Sequence, residues 1–399
     1  MTERTGVCFP EGFIAAGINC GIKKGKKDLA IIISKKPCVA AACSTTNRVK
    51  SYSLLWSLKN IKHPVQAILI NSGNANVLGG KNAWEITCNI MKVFADATGV
   101  GFGNVLFAST GVIGKPLPAD LILSGIRRLI STASETGGQD AAEAIMTTDR
   151  FPKHIELETP IKGRKKGSFV RIGAMAKGAG MICPNMATML AFITTDAVIS
   201  KPALKQALTD AVNDTFNMIT VDGDQSTNDF VVCLANGVSG NRTIHQDTSD
   251  YKIFYASLKE VCAFLAQKIA ENGEGSDRLI EVRVKGAWSQ KDARRVAKKI
   301  AGSNLVKAAV TGAWPNWGRI AAAAGSVCCR FDPQRMKIYI GEHAVFDCVP
   351  CDIDEKLLRQ ELSKNKVVIT VLLGSGKEDA VAWGCNLTEE YVRINMEKE

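Results

Sequence analysis

The sequence predicts a layered α/β protein, on three observations. Short apolar runs of strand length alternate with segments whose apolar residues recur at helical spacing. The chain of 399 residues, 46% hydrophobic and 22% charged, is long enough to bury a large core over two or three domains. There is no internal repeat and no low-complexity tract, so the alternation describes packed layers and not an array.

The strand-like runs cover residues 67–70, 105–108, 169–172, 189–194, 230–234, 279–284 and 367–373. Each is short, apolar and rich in β-branched or aromatic residues, as strands of a buried sheet are. Between them, residues 82–97 place Ile86, Ile90, Val93, Phe94 and Ala97 on one helical face, and residues 251–271 do the same over a longer stretch. The polar, glycine-containing stretches 161–167 and 237–250 read as surface loops. A boundary near residues 286–290 would separate a core from a smaller C-terminal lobe.

Several function classes are disfavoured. No apolar run reaches eighteen residues and the N-terminal stretch carries no basic-then-apolar pattern, so neither a membrane span nor a secretory signal is expected, and the expected location is the cytoplasm. The thirteen cysteines lack the dense spacing of a disulfide framework. Cys348 and Cys351 form a C-x-x-C with no second pair or nearby histidine to complete a zinc set, so no metal is expected. The net charge of +11 is spread over short basic clusters with no interleaved aromatics, which suits steering of small acidic substrates and not a nucleic-acid partner. No nucleophile elbow accompanies the four histidines, and no P-loop is present.

The most informative segment is GAMAKGAGMICPNMATMLAFITTD, residues 173–196. A Gly-rich, Pro-containing loop ends in the small residue Ala187, then Thr188, then an apolar strand. A threonine hydroxyl is a poor nucleophile without a base in reach. If the peptide bond before Thr188 is cut, its own α-amine becomes free, with a reference pKa of roughly 7.7–8.0, so one residue supplies nucleophile and base. The same hydroxyl can make the cut: Thr188 Oγ attacks the Ala187 carbonyl, the acyl group shifts from nitrogen to oxygen, and water hydrolyses the ester. A threonine opening a strand is ordinary, however, and by itself this pattern does not select the reading.

The run KGAGMICPNMATML, residues 177–190, resembles the processing segment of the ornithine acetyltransferases of arginine biosynthesis. The resemblance extends almost end to end, through AAGINCGIK (15–23), TTNRVK (45–50), NSGNAN (71–76), STGVIG (109–114), TTD (147–149), TVDGD (220–224), STNDF (226–230), PNWGRI (315–320) and YVRIN (391–395). It implies self-cleavage between Ala187 and Thr188 into an α chain, residues 1–187, and a β chain, residues 188–399, assembled as α2β2. It also implies an α-β-β-α core of the self-processing N-terminal-nucleophile-like type. The implied reaction is ping-pong: Thr188 takes acetyl from N-acetylornithine and glutamate accepts it, with no organic cofactor and with acetyl-CoA left open as a further donor. By resemblance Thr110 and Gly111 form the oxyanion hole, where one donor typically contributes about 2.7–4 kcal/mol, and Thr147, Lys177, Thr188, Glu274 and Asn395 bind substrate. Lys177 offers a cation for a carboxylate, Thr147 and Thr148 offer hydroxyls, and Glu274 offers an anion for an ammonium.

The sequence departs from the family pattern in three places. Trp314 stands where an Asp usually precedes PNWGR, Gln225 stands where a Thr usually follows DGD, and the chain stops at Glu399, short of a usual terminal hydroxyl residue. These changes bear on substrate preference more than on chemistry. Two other readings share the same parts: a self-processing amidohydrolase or aminopeptidase, in which water resolves the acyl-enzyme, and a relative without catalysis.

Overall fold

The structure, a computed structural model, describes residues 3–162, 168–183 and 189–396. Two compact units emerge. The first comprises Met1–Gly178, Asn185–Asn213 and Gln225–Leu265, and the second Ala179–Pro184, Asp214–Asp224 and Ala266–Glu399.

The first unit carries β1 (Phe13–Ile18), β2 (Leu29–Ser44), α1 (Tyr52–Asn60), β3 (Val65–Asn74), α2 (Ala83–Thr98), β4 (Val105–Val112), α3 (Ala119–Ser131), α4 (Gly138–Ala144), β5 (Lys153–Pro160), β6 (Phe169–Lys177), β7 (Leu190–Thr195) and α5 (Lys201–Asp214). After β8 (Ile219–Thr220), which belongs to the second unit, come β9 (Phe230–Ala235) and α6 (Ser249–Glu271). The strands run in the order β4-β3-β2-β9-β7-β6-β5, with β1 paired to β2.

The long strand β2 serves two sheets. Residues 29–33 pair with β3 and residues 39–44 pair with β9, with a register break between Ile33 and Cys38. Lys35, Lys36 and Pro37 are exposed at that break, where the missing N–H of proline interrupts no ladder. The two sheets pack face to face, and Ile32, Ile68, Leu106, Phe192, Phe230 and Val232 share one core cluster. On the outer face of the first sheet, Ile31, Leu69 and Phe107 pack against Ile90 and Phe94 of α2 and Ile122 and Ile126 of α3. On the outer face of the second, Cys43 Sγ lies 4.0 Å from Thr209 Oγ1 of α5, and burial raises the thiol of Cys262 in α6, which senses Cys233 and Cys43. The layers are therefore α-β-β-α. Strands β7 and β9, paired in parallel, are buried along their whole length, which is why they read as unbroken apolar runs.

The exposed and buried faces of α2 differ from those its apolar spacing predicts. The buried face of α2 is Ala83, Thr87, Ile90, Met91, Phe94 and Ala95, while Val93 and Ala97 face solvent. The face is turned because Thr87 is drawn inward: its hydroxyl donates to Ala83 O at 2.8 Å and accepts from Asn76 Nδ2 at 3.0 Å. An apolar count gives a hydroxyl no weight, so it places the stripe too far round the helix.

The second unit is built on β8, β10 (Leu279–Ala287), α7 (Gln290–Ala301), α8 (Asn304–Thr311), α9 (Trp317–Gly325), β11 (Lys337–Ile340), β12 (His343–Asp347), α10 (Glu355–Leu362), β13 (Lys366–Leu372), β14 (Glu378–Cys385) and α11 (Glu389–Met396). Its six-stranded sheet has the order β12-β11-β13-β10-β14-β8. Gly286, near the boundary suggested by sequence, lies within β10 at φ +68°, beside a register shift between Val284 and Ala287. Helix α7 is capped by Ser289, whose hydroxyl accepts from Asp292 N–H at 3.2 Å, and buries Ala293, Val296, Ala297 and Ile300. No helix is long and apolar enough to cross a membrane, and no group of three or more potential metal ligands occurs, among the described residues.

Candidate active site

Thr110 and Gly111 close β4. In the parallel pairing of β3 with β4, Ser72 faces Thr110 and Gly73 faces Gly111, and the register then shifts at Asn74. Gly111 has φ +131°, and a Cβ there would overlap the carbonyl carbon of Gly73 and lie 2.5 Å from Asn74 N. Only glycine fits this approach of two backbones. The preceding residue is anchored from three directions. Ser109 Oγ donates to Asn71 Oδ1 at 2.6 Å and accepts from Ser53 Oγ at 2.7 Å, and Asn228 Nδ2 donates to Ser109 O at 2.7 Å and to Ala75 O at 2.6 Å.

Lys177, the last residue of β6, is buried at 7% exposure. Its ammonium donates to Thr147 Oγ1 at 2.7 Å and to Thr110 Oγ1 at 3.3 Å, which joins the end of β4 to the turn after α4. Beneath it sits Asp149, fully buried and 4.0 Å from Lys177 Nζ. Asp149 Oδ1 accepts from Lys153 Nζ at 2.6 Å and from Gly178 N–H at 2.7 Å, and Oδ2 accepts from Thr147 N–H at 3.0 Å. Burial opposes ionisation of Asp149, but the Lys153 and Lys177 charges and these donors overcome it and hold the carboxyl far below the usual range. Lys153, also fully buried, is lowered by the same burial.

Asp229 lies in the same unit, where its carboxyl senses the Lys177 charge. It is 1% exposed, burial pushes it well above the ordinary carboxylate range, and its Oδ2 has no hydrogen-bond partner among the described residues.

In the second unit Asn395 Nδ2 donates to Glu274 Oε2 at 2.9 Å and to Tyr391 O at 2.9 Å. Glu274 N–H donates to Ala179 O at 3.0 Å, and its carboxylate occupies the space a side chain at Gly180 would fill. Asp222 holds the same stretch, accepting from Met181 N–H at 2.6 Å and Ile182 N–H at 2.9 Å. Burial raises the Asp222 carboxyl, and it raises the Tyr391 phenol to about 12.

The sequence profile of the ArgJ family matches residues 14–398. The chain belongs to the ArgJ family. It is 47% identical over 395 residues to the arginine biosynthesis bifunctional protein ArgJ of Symbiobacterium thermophilum, covering 98% of this chain and 97% of that one. It is 43% identical to the protein of that name from Bacillus thuringiensis, over 98% of this chain and 96% of the other. Among solved structures, that of the Bacillus halodurans ArgJ protein is 44% identical with a TM-score of 0.51, over 51% of this chain and 97% of its own. This ArgJ-family chain is thus an enzyme of arginine biosynthesis, of the transferase class.

Of the residues singled out by sequence, the fold of this ArgJ-family chain brings Thr110, Gly111, Thr147 and Lys177 together in the first unit, and Glu274 and Asn395 in the second. Ala187 and Thr188 lie outside the described residues. Lys177 and Glu274, which charge alone would put on the surface, are respectively buried and half-buried. Sequence reasoning missed Asp149 and Asn228 as structural partners of this cluster. Both stand in motifs already noted, TTD and STNDF, and a buried carboxylate beside two lysines has no signature in spacing.

Proposed function

We propose that this enzyme transfers acetyl from N2-acetyl-L-ornithine to L-glutamate through an acetyl ester on Thr188, after cutting its own chain between Ala187 and Thr188. The carrying observation is the buried ammonium of Lys177 clasped by the hydroxyls of Thr147 and Thr110 beside Gly111. A buried cation that hydrogen-bonds to neutral hydroxyls, with the Asp149 carboxylate 4.0 Å away already taken up by Lys153 and two N–H groups, is suited to a substrate carboxylate. The neighbouring glycine turn, closed to side chains, suits close approach of backbone donors to an oxyanion.

The chemistry follows from the residues. Thr188 Oγ attacks the Ala187 carbonyl, the acyl group moves to oxygen, and water releases the α chain and frees the Thr188 amine. That amine then takes the hydroxyl proton as Oγ attacks the acetyl carbonyl; ornithine leaves with the proton and acetyl remains on Thr188. The glutamate amine attacks the ester in turn. In the second unit, Glu274 held by Asn395 supplies an anion suited to an ammonium group. The Bacillus halodurans chain matches 51% of this one over 97% of its own, a length close to that of residues 188–399. The word bifunctional in the relatives' names supports a second activity, for which acetyl-CoA is the candidate donor. Two α and two β chains form the proposed assembly.

Intact mass spectrometry tests the reading. The calculated mass of 42.9 kDa should appear as two pieces, the second beginning Thr-Met-Leu-Ala and gaining one acetyl on incubation with N-acetylornithine. Thr188→Ala should give one uncut piece without activity. A cut and active Thr188→Ala protein overturns the proposal, and an acetyl group released to water at the same rate with or without glutamate replaces it with a hydrolase.

A further inference from the structure

A second lysine reaches the surroundings of Lys177. The side chain of Lys23 runs over Gly73, where an added Cβ would lie 3.0 Å from Lys23 Cγ and 2.8 Å from Ile22 Cγ2. Gly73 is the residue that pairs with Gly111. From there the Lys23 ammonium donates to Met146 O at 2.7 Å, one residue before the Thr147 whose hydroxyl holds Lys177. The lysine is fixed at its root. Asp28, fully buried, accepts from the N–H groups of Cys20 at 2.6 Å, Gly21 at 3.1 Å and Lys23 at 2.8 Å.

The two ammonium groups therefore flank the Met146–Thr147 backbone, and both donate hydrogen bonds to neutral oxygens, a carbonyl for Lys23 and two hydroxyls for Lys177, with the Asp149 carboxylate 4.0 Å from Lys177. The nearby carboxylates, Asp28 and Asp149, are already held by backbone N–H groups and by Lys153, so two partly buried cations here favour an anionic ligand. Ornithine and glutamate share one carboxylate, for which a single lysine suffices. Glutamate has a second. We propose that Lys23 is a specificity-determining residue of the acceptor step, its ammonium taking the second carboxylate of a dicarboxylic amino acid. This inference rests on the acetyl-transfer reading above.

The charge of Lys23 is also conditional. Burial lowers it to about 8; Lys177 and Lys26 push in the same direction, while Asp28 and Asp149 oppose them. Recognition of a second carboxylate is accordingly present below that pH and fades as the pH rises through it.

The experiment uses the mature, full-length enzyme and follows the two half-reactions separately by mass: acetyl uptake from N-acetylornithine, and discharge by glutamate or by glutamine, its isosteric amide. Lys23→Gln should load acetyl within about twofold of wild type, raise KM for glutamate about tenfold at pH 7, leave glutamine unchanged and flatten the rise of glutamate KM near pH 8. Lys23→Arg should restore most of the preference. Equal loss with glutamate and glutamine, or a loading rate that falls in step with discharge, overturns the proposal. Should Lys23→Gln fail to fold, Lys23→Met, which keeps the stem over Gly73, serves with the same readouts. If wild type takes up no acetyl, the acetyl-transfer reading fails by itself. Calorimetric binding of glutarate to wild type and Lys23→Gln then decides Lys23, and equal affinities overturn its role.

Discussion

Replacing Asp149 by Asn perturbs a buried charge pair in the first unit. Asp149 and Lys153 are both at zero side-chain exposure with 2.6 Å between charged atoms, so the substitution leaves a buried ammonium without its anion. Breaking a buried pair from one side destabilises by about 3–5 kcal/mol. The geometry adds a second penalty within that range. Three donors converge on two oxygens, from Lys153, Gly178 and Thr147, and an amide turns one oxygen into a further donor. The loss is pH-dependent. Lys153 is already lowered by burial, so in the variant it sheds its proton more readily, and the deficit shrinks as pH rises from 6 to 9. In the wild type the sign is that of a depressed carboxyl: the stability Asp149 contributes is full above the ordinary carboxylate range and is lost only as pH falls towards its much lower folded value. Urea denaturation of the full chain at both pH values measures this. The double variant Asp149→Asn with Lys153→Met, which removes both partners, should recover part of the loss. A deficit under about 1 kcal/mol at pH 6, or a double variant no more stable than the single, refutes the reasoning.

Two further outcomes follow from the end of β4. Thr110→Ala should lower kcat by about 100-fold with a smaller effect on KM, the pattern of an interaction made in the transition state; steady-state kinetics showing a change in KM alone would contradict that role. Gly111→Ala should lower the unfolding free energy, read from urea denaturation, by about 1–3 kcal/mol for overpacking against Gly73 and Asn74 and more for strain at φ +131°; a urea midpoint equal to wild type would show that the two backbones can part.

How much was legible beforehand depends on what each feature rests on. The apolar runs at 190–195 and 230–235 declare themselves as β7 and β9 because both faces of each strand are buried. Strand β5, KHIELETP, alternates charged with apolar residues and lies at a sheet edge, so its strand character comes from pairing with β6 and leaves no apolar run to read. Thr110, Lys177 and Asn395 stand out in the sequence through motif resemblance. The partners that hold them were not, because Asp149 acts on Lys177 across β6 and the turn after α4, and Asn228 on Ser109 across 119 residues of sequence.

The sequence by itself determined the layered α/β class and the family, since those depend on local periodicity and on residue type at fixed spacing. Only the tertiary structure decided that β2 crosses between two sheets, that Lys177 is buried over Asp149, and that Lys23 passes over Gly73 to Met146. Protonation and reach depend on which charges and backbones come within a few ångströms through a low-dielectric interior, and chain order does not encode those separations.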